Sequence, residues 1–209
     1  MIPAAGFFGS NGPAYLNDLT RIARVFRAGA AQAQILHCET VQPGQKRPTK
    51  AGSSEAAFLA EAGADVTGLD LTPEMVDEAR RRYPGVSYQV GDLRRLMRPP
   101  THDGWGAVLA WYSLSHLAAS ELPATIASLA RPLRTNGWLV LALETGAEVR
   151  TVTEWFGHEI DLDFVRHDPA EILDMVERAE LLDIEWYHRG PLTARGEITA
   201  RLYVLARKP

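Results

Sequence analysis

The chain has very little cysteine and no long hydrophobic run, and these two absences restrict its class. Cys38 is the only cysteine in 209 residues, which excludes an internal disulfide and gives no support for an oxidising compartment. No apolar run approaches the ~20 residues of a membrane span, and the first residues lack the charged region that begins a secretory signal. We therefore expect a cytoplasmic protein with no membrane partner.

Neither sign of charge is in large excess. The formal net charge is −4, with 46% hydrophobic and 23% charged residues, a composition typical of globular proteins. Nothing in this balance indicates nucleic acid as a partner. A chain of this length fits a single domain that buries about 70% of its unfolded surface on folding. We therefore expect one domain over residues 1–209, and the oligomeric state is left open.

From Phe58 onward, apolar segments alternate with helical ones, which is typical of an α/β domain with a mostly parallel sheet. The predicted strands are 65–70, 86–90, 105–111, 138–143, 182–187 and 198–207. The predicted helices are 56–62, 73–82, 122–133 with a late interruption at Pro132, and 169–179. Before them we expect an N-terminal helical segment over 1–34 and an atypical first strand and loop over 35–57, with the strand at 34–39.

The most informative residue is Asp70, where an apolar strand ends directly before a helix that begins with Pro73. A carboxylate at the end of a buried strand must find hydrogen-bond donors or face a crevice, because burying it alone is costly. The two hydroxyls of a ribose are such donors, so the first hypothesis is a cofactor that contains a nucleoside. The alternative is that Asp70 only caps the helix, although Thr72 fits that role.

Four landmarks resemble the class I S-adenosylmethionine-dependent methyltransferases, particularly the small bacterial members of the type 11 and type 25 domain groups. They are 66–70 with 72–75 behind it, 91–93, 105–117 and 131–138, in the family's order and at suitable spacing. The likeness covers residues 56–209. It implies a Rossmann-like, doubly wound, mostly parallel seven-stranded sheet whose last strand is antiparallel.

The resemblance also implies S-adenosylmethionine as the cofactor and assigns residues to it. Asp70, with Leu71 beside it, looks like the site of the ribose hydroxyls. Asp92 and Leu93 look like the pair that receives the adenine amino group and ring. Trp111 is expected to line the cofactor pocket, with simple core packing as the alternative.

Tyr112 and His116 are the candidate catalytic residues, because they lie in the loop that faces the transferred methyl group in this family. Methyl transfer mainly requires the acceptor and the methyl group to be held together in a dry pocket. A base helps when the acceptor loses a proton, and histidine serves this role near neutral pH. Alternatively, His116 caps or packs against the next helix. The aromatic insert 154–164 suits an apolar small-molecule acceptor, or is a plain hairpin.

The chain departs from the family at its glycine-rich motif. Those glycines let the backbone approach the cofactor closely, and they are expected at Thr49, Ala51 and Ser53, none of which is glycine. Three explanations are open. The loop is rebuilt around Gly44 and Gly52, or cofactor binding has been lost, or the coding frame is disturbed between about residues 39 and 53.

The leading hypothesis is methyl transfer from S-adenosylmethionine to an unidentified small molecule. One alternative is a non-catalytic protein that keeps the fold with impaired cofactor binding. Another is an NAD(P)-dependent oxidoreductase, which would need a Gly-x-Gly-x-x-Gly turn and a Tyr-x-x-x-Lys pair that the chain lacks. The segment 44–51 fails as a phosphate loop, and His37, Cys38 and Glu39 do not have metal-ligand spacing, so no metal is expected.

Overall fold

The computed structural model describes residues 32–37, 55–100, 102–155, 158–195 and 197–209. The strands in these ranges are β1 Gln32–His37, β2 Asp65–Asp70, β3 Ser87–Val90, β4 Trp105–Trp111, β5 Leu133–Thr145, β6 Val149–Trp155, β7 His158–Val165, β8 Leu182–Arg189 and β9 Ala200–Arg207. The α-helices are α1 Glu55–Glu61, α2 Pro73–Arg82, α3 Leu122–Ala130 and α4 Pro169–Arg178, with short 3₁₀ turns at Leu93–Arg95, Ala119–Glu121 and Thr193–Arg195. No helix in the described ranges is long and apolar enough to cross a membrane.

The main sheet has seven strands in the order β3-β2-β1-β4-β5-β9-β8. Neighbouring strands run parallel from β3 to β5, whereas β9 is antiparallel to both β5 and β8. The predicted α/β class is therefore confirmed. The strand order reverses between β1 and β4, and open α/β sheets bind their ligands outside the carboxyl ends of the strands at such a point.

Strands β6 and β7 form a separate antiparallel two-stranded sheet. This hairpin covers most of the aromatic insert for which the sequence left two interpretations. Its backbone is that of a hairpin, and the position of its second strand brings it to the functional edge of the main sheet, as described below.

Strand β4 lies in the middle of the main sheet, between β1 and β5, and every one of its residues is buried. Its side chains alternate between two cores, with Val108 and Ala110 on one face and Leu109 and Trp111 on the other. The first core is closed by α3 and α4, and the second by α1 and α2. A continuous apolar run is what a strand covered on both faces requires.

Several predicted boundaries are wrong, and the following three bear on the architecture. Helix α3 ends at Ala130 rather than at residue 133, because a helix does not continue through Pro132. Strand β5 begins at Leu133 and includes the predicted turn at Asn136, which has φ +61°, so that its pairing with β4 is irregular there. Strand β1 begins at Gln32, inside the segment predicted to be helical.

The start of α4 is the predicted one, since Asp168 Oδ1 accepts hydrogen bonds from the backbone N–H groups of Ala170 (2.8 Å) and Glu171 (3.3 Å). The rest of the predicted helical segment 1–34 and the glycine-free loop lie outside the described residues. The three explanations for that loop, including the roles of Gly44 and Gly52, stay open.

Candidate functional site

The carboxyl ends of β2, β1 and β4 form one continuous edge of the sheet. Leu36 of β1 pairs with Leu69 on one side and with Ala110 on the other, so Asp70 and Trp111 lie in the same row across the strands. Two strand spacings separate them, which places their backbones about 10 Å apart. The structure thus brings the predicted ribose residue and the predicted methyl-facing loop to the same edge.

Asp70 is partly buried at the end of β2, and only one of its carboxylate oxygens is engaged by the described chain. Oδ1 accepts a hydrogen bond from the backbone N–H of Thr72 at 2.8 Å. Thr72 occupies the N-cap position of α2, but its side chain makes no capping hydrogen bond. The predicted N-cap position is therefore confirmed, but the Thr72 hydroxyl does not satisfy the free N–H groups of the first turn, and Asp70 binds only the N–H of Thr72 itself. Oδ2 accepts no hydrogen bond from the described residues.

Two apolar side chains are exposed beside Asp70. Leu71 is 63% exposed, and Val90, which pairs with Asp70 across β2 and β3, is 51% exposed. Gly91 follows Val90, and its N–H donates to the Asp70 carbonyl oxygen at 2.8 Å. Exposed apolar groups beside a single carboxylate suit a flat, partly polar ligand. Val90 was not among the predicted site residues, although its position at the end of a predicted strand was a usable signal.

Asp92 lies at the end of β3 as predicted, but its carboxylate is already in an ion pair. Oδ1 accepts hydrogen bonds from Arg94 N (2.9 Å) and Nε (3.0 Å), and Oδ2 accepts from Nη2 (2.9 Å). Hydrogen bonds from Arg94 hold the pKa of Asp92 below its usual value. Leu93 is partly buried and packs against the core. Asp92 therefore has a structural role beside the predicted contact with adenine, which stays a prediction.

Trp111 and Tyr112 end β4 in an aromatic cluster. The Trp111 side chain is 1% exposed, and its ring centroid lies 5.8 Å from that of Tyr112 and 5.6 Å from that of Tyr203. These surroundings agree with the core-packing alternative for Trp111. Tyr112 has φ +54°, a left-handed conformation that is uncommon for a bulky residue, and strain of this kind concentrates at functional sites.

His116 is held by the hairpin. Its Nδ1 lies 2.9 Å from the carbonyl oxygen of Asp163, and its ring centroid lies 4.7 Å from that of Phe164. The alternative interpretation was that His116 caps or packs against the next helix, and neither of these contacts involves that helix. Because a carbonyl only accepts, Nδ1 carries the proton, and the lone pair of the neutral ring is on Nε2. Nearby, Ser113 is 6% exposed and its Oγ has no hydrogen-bond partner in the described chain.

A second polar group at this edge was missed by the sequence analysis. We call it the tyrosine–arginine cluster, and it consists of Tyr112, Glu144, Arg189, Glu197, Arg201 and Tyr203. The hydroxyls of Tyr112 and Tyr203 are 3.0 Å apart, and Arg189 Nη2 donates to the Tyr203 hydroxyl at 3.3 Å. The Arg201 guanidinium lies 5.3 Å from the centre of the Tyr112 ring.

Two close ion pairs hold this cluster together. Arg189 contacts Glu197 at 2.5 Å and Arg201 contacts Glu144 at 2.5 Å. Burial alone raises the pKa of Glu197, but hydrogen bonds from Arg189 and the Leu192 N–H outweigh it, so that the pKa is lowered. The pKa of Arg189 is raised by the same pair. The alternation of Arg201 and Tyr203 on β9 was the available sequence signal, because residues two apart share a face.

The profile of a sequence family described as "Methyltransferase domain" matches residues 51–137, which include Asp70, Asp92 and the loop after β4. The chain is 36% identical over 129 residues to trans-aconitate 2-methyltransferase from Methylobacterium nodulans, covering 61% of this chain and 43% of that protein. It is 34% identical over 90 residues to demethylmenaquinone methyltransferase from Beutenbergia cavernae, covering 43% and 35% of the two proteins.

Residues 51–137, less than half of the chain, are thus similar to methyltransferase domains. The chain spans less than half the length of the two curated relatives. N-methyltransferase NodS from Bradyrhizobium japonicum WM9, solved in complex with S-adenosyl-L-homocysteine, has a TM-score of 0.61 at 17% identity, covering 95% of this chain and 89% of that one. This likeness shows a Rossmann-like fold. Both curated relatives are methyltransferases by name, so the comparisons give no support to the oxidoreductase alternative.

Proposed function

We propose that this chain transfers a methyl group from S-adenosylmethionine to a small-molecule acceptor. One observation supports this most. Asp70 and Trp111 lie in one row on either side of β1, at the reversal of strand order and within the segment that matches a methyltransferase domain. The two curated relatives are named for different acceptors, trans-aconitate and demethylmenaquinone, so their names do not choose one for this chain.

The residues at this edge fit such a cofactor. Asp70 Oδ2 has no hydrogen bond from the described chain, so it can accept one from a ribose hydroxyl. Leu71 and Val90 are exposed apolar groups that suit the faces of an adenine ring. Asp92 and Leu93 follow at the next strand end, where the adenine amino group and ring edge are expected.

When bound, S-adenosylmethionine supplies a methyl group on a positively charged sulfur, which reacts by in-line displacement. The protein's own residues have to orient the acceptor, exclude water and remove a proton where the acceptor atom carries one. His116 suits the last task, because the Asp163 carbonyl fixes its Nδ1–H and leaves Nε2 as the base. The Phe164 ring beside it contributes an apolar wall. The buried Ser113 hydroxyl lacks a described partner and suits a bound polar group.

Calorimetric titration of the full chain with S-adenosylhomocysteine tests cofactor binding. We expect saturable binding that Asp70→Asn weakens by about tenfold or more, since a hydrogen bond to a charged group contributes ~1.5 kcal/mol or more. Asparagine keeps an oxygen for the Thr72 N–H, so the start of α2 is retained. Asp77→Asn removes an exposed carboxylate from the same helix region and is the matched control.

No heat of binding at millimolar ligand, from a chain shown to be folded, would contradict the proposal. That result would favour the non-catalytic alternative. An affinity unchanged by Asp70→Asn would remove the ribose assignment alone.

A further inference from the structure

We propose that the methyl acceptor carries a carboxylate and that Arg201 binds it. This inference rests on the proposed function, because it names the class of molecule that the methyltransferase edge receives. The carboxylate would orient the acceptor by binding to Arg201. It does not specify which atom of the acceptor receives the methyl group.

Arg201 lies at the same edge of the sheet as the candidate catalytic loop. It lies near the start of β9, directly opposite Glu144 at the carboxyl end of β5 and Arg189 at the carboxyl end of β8. Its guanidinium is 5.3 Å from the centre of the Tyr112 ring. Tyr112 is the first residue after β4, so Arg201 directly contacts the loop that also holds His116. The cluster thus borders the candidate reaction edge on the side away from Asp70.

Two nitrogens of the Arg201 guanidinium have no hydrogen-bond acceptor among the described residues. Its Nη1 is engaged by Glu144 Oε1 at 2.5 Å and by Thr199 Oγ1 at 2.7 Å. Its Nε and Nη2 donate no hydrogen bond to any residue that the structure describes. The side chain is 12% exposed, and the two contacts hold it in place. The Nε and Nη2 donors form one edge of the guanidinium, whose geometry matches the two oxygens of a carboxylate.

The pair of Arg189 and Glu197 favours an anion over a cation. Both oxygens of Glu197 are held by Arg189, at 2.5 and 3.0 Å, and one also accepts the Leu192 N–H at 2.9 Å. Arg189 is only 8% exposed, and its Nε is buried without a described acceptor. The oxygens of Glu197 are therefore satisfied, whereas Arg189 and Arg201 each keep donors that no described residue accepts. A negatively charged ligand supplies what is missing.

Calorimetry of the full chain with small carboxylates tests this directly. The probes are acetate, benzoate and trans-aconitate, with acetamide, benzamide and trimethyl trans-aconitate as uncharged matches, each with and without saturating S-adenosylhomocysteine. We expect at least one carboxylate to bind and its uncharged match to bind about tenfold more weakly or not at all. Failure of every carboxylate to bind, or equal binding of the uncharged matches, would overturn the proposal.

Two variants separate ligand binding from a structural ion pair. Arg201→Met should weaken carboxylate binding by about tenfold, whereas Glu144→Gln should strengthen it severalfold by removing the competing anion. If the pair is only structural, both changes act in the same direction, and that outcome contradicts the proposal. Arg131→Met, at the exposed end of α3 on the opposite edge of the sheet, is the control and should change nothing.

Folding and cofactor binding are measured on the same samples. Arg201→Met should keep its circular dichroism spectrum and its affinity for S-adenosylhomocysteine. If it unfolds, Arg201→Lys replaces it, because lysine keeps the charge but loses the paired donors, and we expect an intermediate loss of affinity. Carboxylate binding without S-adenosylhomocysteine binding supports a carboxylate site at Arg201 but contradicts the proposed function. Binding of S-adenosylhomocysteine without any carboxylate supports the proposed function and contradicts this inference.

Discussion

The Nδ1 atom of His116 lies 2.9 Å from the backbone carbonyl oxygen of Asp163, which joins the loop after β4 to the second strand of the hairpin. A second bond, from the Val165 N–H to the Ser115 carbonyl oxygen at 2.7 Å, supports the same junction. The hairpin therefore determines the tautomer of His116 as well as its position. A base oriented by a carbonyl on a separate element is a common arrangement in catalytic sites.

We expect His116→Asn to lower kcat by about 100-fold for an acceptor that loses a proton, which is the lower range for removing a general base. Asparagine can still donate to the Asp163 carbonyl, so the hairpin contact is kept while Nε2 is lost. Release of S-adenosylhomocysteine under saturating acceptor measures the rate. KM for S-adenosylmethionine should not change.

His102→Asn is the matched control, because His102 is exposed in the loop before β4, at the other end of that strand. It should retain the parent rate. If His116→Asn also keeps the parent rate with a protonated acceptor, then His116 only positions the loop.

The buried pair of Arg189 and Glu197 should stabilise the fold in a pH-dependent way. Their side chains are 8% and 14% exposed. Removing one charge from such a pair leaves the other uncompensated, so Glu197→Gln should lower the free energy of unfolding by about 3 kcal/mol at pH 7. Urea denaturation followed by circular dichroism measures this. Asp174→Asn, which removes an exposed pair with Arg178, should cost less than about 0.5 kcal/mol.

The sign of the pH dependence follows from the lowered pKa of Glu197 in the folded state. The unfolded carboxyl binds its proton at higher pH than the folded one, so the contribution is complete above the unfolded pKa. It is lost as the pH falls through the folded pKa. The difference between parent and Glu197→Gln should therefore shrink below about pH 4. A difference that stays constant on acidification would show that the charge of Glu197 is not its cause.

Local signals explain which parts of the fold could be predicted from the sequence. Pro73 and Pro169 start helices at the predicted residues, and Gly63, with φ +95°, ends α1 as predicted. The row that contains Asp70 and Trp111 follows from parallel strands that end together. These inferences need only a few neighbouring residues or a repeated βα pattern.

The parts that could not be predicted depend on contacts between distant residues. Tyr112 and Tyr203 are 91 residues apart, and they meet because β9 enters the sheet between β5 and β8. The pairing of His116 with Asp163 similarly depends on where the hairpin lies. The ion pair between Asp92 and Arg94 could have been predicted from the sequence, because the two residues are only two positions apart.

Because Asp92 and Arg94 form an ion pair, we expect their substitution to change the affinity for S-adenosylhomocysteine in opposite directions. If Asp92 binds the adenine amino group, Asp92→Asn should weaken binding of S-adenosylhomocysteine by about tenfold, because a hydrogen bond to a charged acceptor is lost. Arg94→Met removes the competing donors and should strengthen binding severalfold. The Ser128 hydroxyl donates to the backbone oxygen of Arg94, so that contact remains. Calorimetry measures both, and weakening by both variants would show that the pair acts through structure alone.

Gly104 lies directly before β4, at the end of that strand away from the proposed site, and packs closely against the backbone of residues 132–134. Its φ is +152°, and a Cβ there would lie 2.6 Å from the backbone nitrogen of Arg134 and 2.7 Å from the carbonyl oxygen of Pro132. Backbone atoms cannot move aside as a flexible side chain does, so Gly104→Ala should lower the free energy of unfolding by about 3 kcal/mol. Gly85→Ala is the control, because nothing lies within 4 Å of its added Cβ, and it should change stability by less than about 0.5 kcal/mol. Urea denaturation compares the two, and equal stabilities would mean that the segment from Pro132 to Arg134 can shift away from β4 at little cost.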